Sequence, residues 1–195
     1  MKKVLIRCEI MIISEKKNFE RKKFKILMEK SSPLDRKKVG MNVKLYIESL
    51  LKKGKKINHI GIYWPFKNEV DIRNLNDSYS LALPRCEKNK ELIFCEWDGT
   101  QLTKDIEGIL SPDSSRKLSY EQISMIFVPC LSIDKQLIRL GYGGGYFDRL
   151  RRKKNWNSIP CIGVLTSNCV CLNSLPRADW DIPLSGFITE KEILV

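Results

Sequence analysis

Histidine is almost absent from this chain, since His59 is the only one among its 195 residues. Metal sites that require several histidines are therefore excluded, and a Ser-His-Asp arrangement could rest only on His59. His59 lies in the apolar stretch Ile57–Trp64. A strand residue with a satisfied hydrogen bond is the simpler expectation for it.

Closely paired cysteines and long apolar runs are also missing. The seven cysteines are scattered without a C-x-x-C pair, which fits neither a disulfide framework nor a zinc knuckle. We expect reduced and mostly buried thiols. The apolar start of the chain, residues 1–14, is interrupted by Arg7 and Glu9 and lacks a small-residue cleavage site, so it predicts neither a membrane span nor a signal peptide. A soluble, cytoplasmic protein is expected.

Positive charge is concentrated at the start of the chain. The formal net charge is +12, and residues 1–56 hold 18 Lys and Arg against 6 Asp and Glu, while the remaining residues are balanced. Such a segment could bind nucleic acid, could steer a small polyanion such as a nucleoside triphosphate, or could form the solvated faces of helices. No RNP, KH or zinc-finger signature accompanies the charge, which disfavours nucleic acid.

Hydrophobic periodicity indicates alternating helices and strands. The expected fold class is α/β, a single three-layer domain over residues 15–195 with a central, mostly parallel sheet flanked by helices. Residues 1–14 form an N-terminal extension of unknown role, for which a strand, a helix and a disordered segment all remain open. We predict helices over Glu15–Lys30, Asp35–Leu51, Glu69–Leu75 and Tyr146–Lys154, strands at Ile57–Trp64, Ser80–Leu83, Glu91–Trp97, Ser124–Val128, Ile159–Leu165 and Gly186–Thr189, and a surface loop at Thr100–Ser119.

The strongest chemical signal is a glycine-rich loop that follows the strand ending at Pro129. Residues 139–149 read Arg-Leu-Gly-Tyr-Gly-Gly-Gly-Tyr-Phe-Asp-Arg. Glycines let backbone N–H groups approach an anion, and Arg139 can add a bidentate phosphate contact. The spacing matches neither a P-loop nor a dinucleotide fingerprint, so a tight structural turn remains an alternative. Asp148 could support a magnesium ion on phosphates, or could simply be a charge at a helix start.

Residues 139–149 resemble the glycine-rich signature of the 5-formyltetrahydrofolate cyclo-ligase family, also called methenyltetrahydrofolate synthetases. Other segments resemble the family in the same order, and together they cover the chain from about Lys17 to Glu190. These segments are Lys17–Arg21, Ile60–Asp71, Leu83–Arg85 with Leu92–Phe94, Leu175–Asp181 and Phe187–Glu190.

The resemblance implies a site for ATP, a folate and Mg²⁺ that cyclises 5-formyltetrahydrofolate to 5,10-methenyltetrahydrofolate with release of ADP and phosphate. No covalent nucleophile is implied, and Lys17 and Arg139 give electrostatic support. The partners implied are small molecules and no membrane, nucleic acid is disfavoured, and the protein is expected to be a monomer. Implied residues are Lys17, Arg21, Arg139, Leu140, Gly141, Tyr142, Gly143, Gly144, Gly145, Tyr146 and Phe147 for ATP, Trp64, Glu69, Tyr142, Gly143, Gly144, Gly145 and Tyr146 for the substrate, and Asp148 and Asp181 for the metal.

Several residues depart from the family pattern. Ser124, Cys130, Ile133 and Leu137 replace the usual Asp, Gly, Phe and Gly, and Trp180 replaces a usual histidine. Two alternatives therefore stay open beside the cyclo-ligase, which are a folate- or nucleotide-binding relative without turnover and a basic RNA-binding protein.

Overall fold

The computed structural model describes residues 2–99 and 101–195, with side chains from residue 9 onward. The first helix, α1, spans Lys2–Glu29 and is followed after a short turn by α2, Pro33–Lys52. Helix α2 begins two residues before the predicted start at Asp35, because the Ser32 hydroxyl accepts a hydrogen bond from the Asp35 N–H at 3.0 Å and Pro33 occupies the first helical position. Helix α1 starts well before Glu15, so residues 2–14 of the extension are helical and continuous with the predicted helix.

The strands are β1 His59–Gly61, β2 Leu81–Glu87, β3 Glu91–Trp97, β4 Thr103–Lys104, β5 Leu110–Ser111, β6 Ile123–Pro129, β7 Ser132–Asp134, β8 Arg139–Leu140, β9 Cys161–Val164, β10 Val170–Cys171, β11 Gly186–Ile188 and β12 Ile193–Leu194. The remaining helices are α3 Tyr146–Arg152 and α4 Lys154–Asn157.

A seven-stranded sheet forms the centre of the fold, in the order β12-β11-β9-β6-β1-β2-β3. The inner pairs β11-β9, β9-β6, β6-β1 and β1-β2 are parallel, while the edge strands β12 and β3 are antiparallel to their neighbours. The mostly parallel sheet is confirmed.

Helices cover both faces of the sheet. Successive side chains of a strand point to opposite faces, so one strand contributes to the core on each side. In β6, Ile126 packs in a core with residues of α1 and α3, whereas Phe127 packs in a second core with α2. Both side chains are almost completely buried. Two cores on opposite faces give the expected three layers. The helical anchors are Phe24, Met28 and Leu150 on the first face and Val39, Val43 and Ile47 on the second.

The helix predicted over Glu69–Leu75 is wrong. This segment is largely irregular, and a short 3-10 helix covers Arg73–Asp77 instead. The Asp71 carboxylate accepts a hydrogen bond from the Arg73 N–H at 3.0 Å. A local bond of this kind offers the backbone an alternative to helix formation.

The segment predicted as a surface loop, Thr100–Ser119, contains the short antiparallel pair β4-β5 in its described part. The side chain of Asp105 stabilises this hairpin and connects it to the sheet through hydrogen bonds. Its carboxylate accepts hydrogen bonds from the N–H groups of Glu107 and Ile109, at 2.9 and 3.0 Å, and from the Cys86 N–H of β2 at 2.8 Å.

Two predictions about unusual side chains are confirmed. The six cysteines from Cys86 onward are free and buried, while the side chain of Cys8 lies outside the described part. His59 is a strand residue whose Nε2 lies 3.4 Å from the Glu96 carboxylate. Within the described ranges, none of the helices is long and apolar enough to cross a membrane.

Candidate active site

A cleft of about 530 Å³ opens between α1, the glycine-rich loop and the ends of the central strands. The structure brings every residue of the predicted site to its walls. These are Lys17, Arg21, Trp64, Glu69, Arg139, Leu140, Gly141, Tyr142, Gly143, Gly144, Gly145, Tyr146, Phe147, Asp148 and Asp181. Residues far apart in the sequence thus share one solvent-accessible space.

The glycine loop connects β8 to α3 and needs glycine at two of its positions. Gly143 and Gly145 have φ angles of 108° and 69°, in the left-handed region. A Cβ atom at Gly145 would lie 2.7 Å from Nη1 of Arg149, so the end of this arginine side chain would have to move to admit it. The loop therefore presents bare backbone to the cleft.

Two basic side chains of α1 line the cleft on the wall that faces the loop. Lys17 and Arg21 are one helical turn apart, so they lie on the same face of the helix. The Arg21 Nε donates to the carbonyl oxygen of Gly141 at 2.9 Å, and the Lys17 ammonium donates to the Asp181 carboxylate. Burial lowers the pKa of Arg21, while the charges of Asp148 and Asp181 act in the opposite direction. Basic and acidic groups are therefore interleaved at the centre of the cleft.

Arg139 occupies the floor beneath the loop. Its guanidinium donates to the Pro129 carbonyl oxygen at 3.0 Å and to the Asp148 carboxylate at 3.3 Å, and its Cζ lies 5.3 Å from the centroid of the Phe147 ring. Burial raises the pKa of Asp148, but Arg139 and Lys17 together lower it below its usual value. Asp148 is therefore an ionised carboxylate at neutral pH.

A carboxyl group with an unused oxygen marks another part of the cleft. Glu69 Oε2 accepts a hydrogen bond from the Phe66 N–H at 2.6 Å, whereas Oε1 is buried without a hydrogen bond of normal geometry from the described residues. Burial raises the pKa of Glu69, although the Phe66 N–H, the Tyr142 phenol and the charge of Arg139 lower it. An acceptor buried in this way can take a hydrogen bond from a ligand.

Aromatic rings line the same cleft as this carboxyl group. The Phe66 and Tyr142 rings meet edge to face with centroids 5.5 Å apart. Trp64 contacts Trp97 in the same manner at 6.2 Å, and the Arg73 Cζ lies 4.2 Å above the Trp64 ring. A flat heterocycle with N–H donors fits such surroundings.

Sequence reasoning missed several residues of the cleft. Glu107, on the β4-β5 hairpin, accepts a hydrogen bond from the Tyr146 hydroxyl. Ile10 and Ile13, in the extension and at its end, also line the cleft. The length of the polar loop was an available signal, since long loops inside a compact domain are usually functional. The spacing of Ile10, Ile13 and Lys17 on one helical face was another.

Four departures from the family pattern lie outside the cleft. The Ser124 hydroxyl accepts a hydrogen bond from the Asn58 N–H at 2.8 Å, and Cys130 and Ile133 are buried in the core. Leu137 has a φ of 62° in a tight turn. None of these residues lines the described cleft, whereas Trp180, the fifth departure, does.

The side chains available as metal ligands decide whether a divalent cation fits the cleft. The described residues contain no cluster of three or more His, Cys, Asp or Glu able to hold a metal ion. The cleft does hold two carboxylates, Asp148 and Asp181, among basic groups that suit phosphates. Mg²⁺ is commonly bound by one or two carboxylates together with substrate phosphates and water. These residues therefore fit Mg²⁺ delivered with a nucleotide.

Comparison with known proteins agrees with this architecture. A 5-formyltetrahydrofolate cyclo-ligase of Haemophilus influenzae is 28% identical over 137 residues, which cover 65% of this chain and 72% of that protein. The 5-formyltetrahydrofolate cyclo-ligase of Escherichia coli K12 is 30% identical over 77 residues, covering 39% of this chain and 41% of that one.

Solved structures show the same fold. A 5,10-methenyltetrahydrofolate synthetase from Aquifex aeolicus superposes with a TM-score of 0.74 and 29% identity, covering 91% of each chain. One from Mycoplasma pneumoniae superposes with a TM-score of 0.69 and 22% identity, covering 89% of this chain and 98% of that one. A family model of the 5-formyltetrahydrofolate cyclo-ligases matches residues 13–190, and the chain belongs to this family.

Proposed function

We propose that this protein closes the ring of 5-formyltetrahydrofolate to give 5,10-methenyltetrahydrofolate, with ATP as the phosphoryl donor and Mg²⁺ as the metal. The observation that carries the proposal is that basic side chains, a glycine loop, two carboxylates and a buried acceptor all line one cleft. The substrate is a small molecule, and the protein acts as a monomer in the cytoplasm. Residues 15–195 form the catalytic domain.

The proposed pterin position is beside Glu69. A 2-amino-4-oxo heterocycle presents adjacent N–H donors, which suit the buried Oε1 of Glu69, an atom that receives no hydrogen bond of normal geometry from the described residues. Trp64 and Tyr142 then supply flat apolar walls. This position directs the formyl group of the folate toward the centre of the cleft.

The proposed position of the nucleotide phosphates is between α1 and the glycine loop. The backbone of Gly141–Gly145 cradles them, with Leu140, Tyr142, Tyr146 and Phe147 as neighbours, while Lys17, Arg21 and Arg139 neutralise their charge. Asp148 and Asp181 would hold Mg²⁺, which would supply positive charge to offset the negative charge that develops during transfer.

The chemistry requires that the formyl oxygen become a leaving group. It attacks the γ-phosphorus of ATP, the bond to the bridging oxygen breaks, and ADP leaves. N10 of the folate then attacks the formyl carbon, the carbon–oxygen bond breaks to release phosphate, and N10 loses its proton. The protein contributes positioning and charge stabilisation to these steps. No residue is required to form a covalent bond.

The test is the absorbance of the methenyl product in a mixture of protein, 5-formyltetrahydrofolate, ATP and magnesium. We expect an increase that requires ATP and that is lost in Asp148→Ala. The exposed Asp77→Ala serves as the matched control, since Asp77 lies outside the cleft. A flat trace with folded wild-type protein would contradict the proposal.

Two further readouts identify the alternatives if the trace is flat. Thermal stabilisation by folate and ATP without product would identify a binding relative without turnover. Filter binding of RNA over a salt series would identify an RNA-binding protein.

A further inference from the structure

One face of α1 changes character along its length. Ile10, Ile13, Lys17 and Arg21 recur at spacings of three and four residues, which places them on one stripe of the helix, and all of them line the cleft. The first turns of the stripe are apolar and the next are basic. Ile10 precedes residue 13, where the match to the family model begins.

The C-terminal segment supplies a second apolar element of the cleft. Trp180 lines the same space, and the Cζ of Arg152 lies 5.7 Å from the centroid of its ring. Trp180 is 39% exposed and Ile10 is 41% exposed, so neither side chain is buried in the core. Large apolar side chains that line a cleft and keep this exposure provide contact area for a ligand.

The orientation of ATP during phosphoryl transfer identifies the part of the ligand that contacts these apolar side chains. In the proposed function, on which this assignment rests, the terminal phosphate faces the folate beside Glu69. The nucleobase is at the other end of the nucleotide, so it lies beyond Lys17 on the side away from Glu69. Ile10 is seven residues before Lys17, a distance of about 10 Å along the helix axis. An α-phosphate and a ribose span such a distance.

We propose that Ile10 and Ile13 of α1, together with Trp180 and Arg152, form the nucleobase subsite. The aromatic base contacts the aliphatic side chains and the indole ring through its faces. Ile10, which lies ahead of the family match, therefore contributes to nucleotide affinity in this chain. Trp180, at a position where the family usually has histidine, gains a role in binding.

The test compares Mg-ATP with magnesium tripolyphosphate, which has the phosphates but no base. Affinities are measured by isothermal titration calorimetry in the absence of folate. We expect Trp180→Ala to weaken ATP binding about 10-fold, as is typical when one stacking ring is lost, and Trp180→Phe to restore most of the affinity. Tripolyphosphate binding should change less than about twofold.

A matched pair of variants tests the helix. Ile10→Asp should weaken ATP binding, whereas Ile12→Asp should not, because Ile12 is similarly exposed at 50% but is absent from the cleft walls. Circular dichroism checks that both variants keep the helix.

Three outcomes would overturn the inference. These are equal losses for ATP and tripolyphosphate, a loss of folate affinity in place of ATP affinity, and unchanged ATP affinity in Ile10→Asp and Trp180→Ala. Turnover by the wild-type protein combined with unchanged ATP affinity in the variants would reject only this inference. Base-dependent ATP binding without turnover would reject only the proposed function.

Discussion

Lys17 and Asp181 form an ion pair that joins the first helix to the C-terminal segment across 164 positions of sequence. The side chains are only 14% and 10% exposed, which sets this pair apart from ordinary surface ion pairs. The same Asp181 oxygen also accepts a hydrogen bond from the Ala178 N–H at 2.7 Å. The pair therefore holds a wall of the cleft in place while leaving both charges near the proposed phosphate position.

The first prediction concerns the stability that this pair provides. Lys17→Met should lower the free energy of unfolding by about 3 kcal/mol, because it leaves a shielded carboxylate without its cation. Urea denaturation at pH 7 measures the change, with Lys16→Met, at an exposed neighbour, as the control. The double variant Lys17→Met/Asp181→Asn should recover part of the loss. A change below 1 kcal/mol for Lys17→Met would show that solvent screens the pair.

The second prediction concerns Glu69 and pH. Burial raises the pKa of its carboxyl above the usual value of 4.5, so the folded chain holds this proton to higher pH than the unfolded chain does. The contribution of Glu69 to stability is thus lost as pH rises from 4.5 through the folded-state pKa. Glu69→Gln should match the wild type below that range and should be more stable at pH 7. Each pKa unit of difference corresponds to about 1.4 kcal/mol.

The same Glu69→Gln variant should gain stability at pH 7 but bind the folate more weakly. A glutamine cannot accept two N–H bonds from the heterocycle as a carboxylate does, so the KM for the folate should rise at least about 10-fold. The KM for ATP should stay within about twofold. Urea denaturation between pH 4 and 8, with steady-state kinetics at pH 7, measures both effects. A less stable Glu69→Gln at pH 7 would contradict the burial argument.

The central architecture was predictable because its signals are strong and local. Strand β3 was predicted with its observed limits, Glu91–Trp97, and α2 began within two residues of its predicted start. The glycine spacing in residues 141–145 pointed to bare backbone, and the positive φ of Gly143 and Gly145 is the physical reason. Hydrophobic periodicity and glycine spacing can be recognised in a sequence without tertiary information.

The remainder required tertiary contacts that sequence patterns do not carry. The Glu69–Leu75 segment has helical spacing, but the side chain of Asp71 bonds the local backbone instead. The hairpin holding Glu107 depends on Asp105 reaching the Cys86 N–H, a pairing 19 residues apart. Likewise, the binding role proposed for Ile10 depends on Trp180 lining the same cleft, which the sequence pattern does not indicate.

The third prediction uses Leu137, which stands where the family usually has glycine. Its φ of 62° places a branched side chain in the left-handed region, at a turn where Asp134 accepts a hydrogen bond from the Ile138 N–H at 2.9 Å. Leu137→Ala and Leu137→Gly both remove its packing against the core. The glycine variant should be more stable than the alanine variant by about 1 kcal/mol, because only glycine adopts this φ without strain. Chemical denaturation measures the order, and the reverse order would show that the turn relaxes.

The fourth prediction concerns the contact between Glu107 and Tyr146, which ties the β4-β5 hairpin to the glycine loop. The Glu107 carboxylate accepts a hydrogen bond from the Tyr146 hydroxyl and thereby raises the pKa of Tyr146. The contact is exposed at Glu107, so Glu107→Ala should change the free energy of unfolding by less than about 1 kcal/mol. Its effect should instead appear in ligand binding, because the hairpin would no longer hold the Tyr146 ring at the cleft.

Kinetics separates this positioning role from a purely structural one. We expect Glu107→Ala and Tyr146→Phe each to raise KM about threefold to tenfold with little change in kcat, since neither group takes part in the proposed bond changes. The double variant should be no worse than either single variant, because both remove the same contact. Glu121→Ala, at an exposed glutamate outside the cleft, is the control. Additive losses in the double variant would show that the two side chains act on the ligand independently, and a selective fall in kcat would place Tyr146 in the chemistry itself.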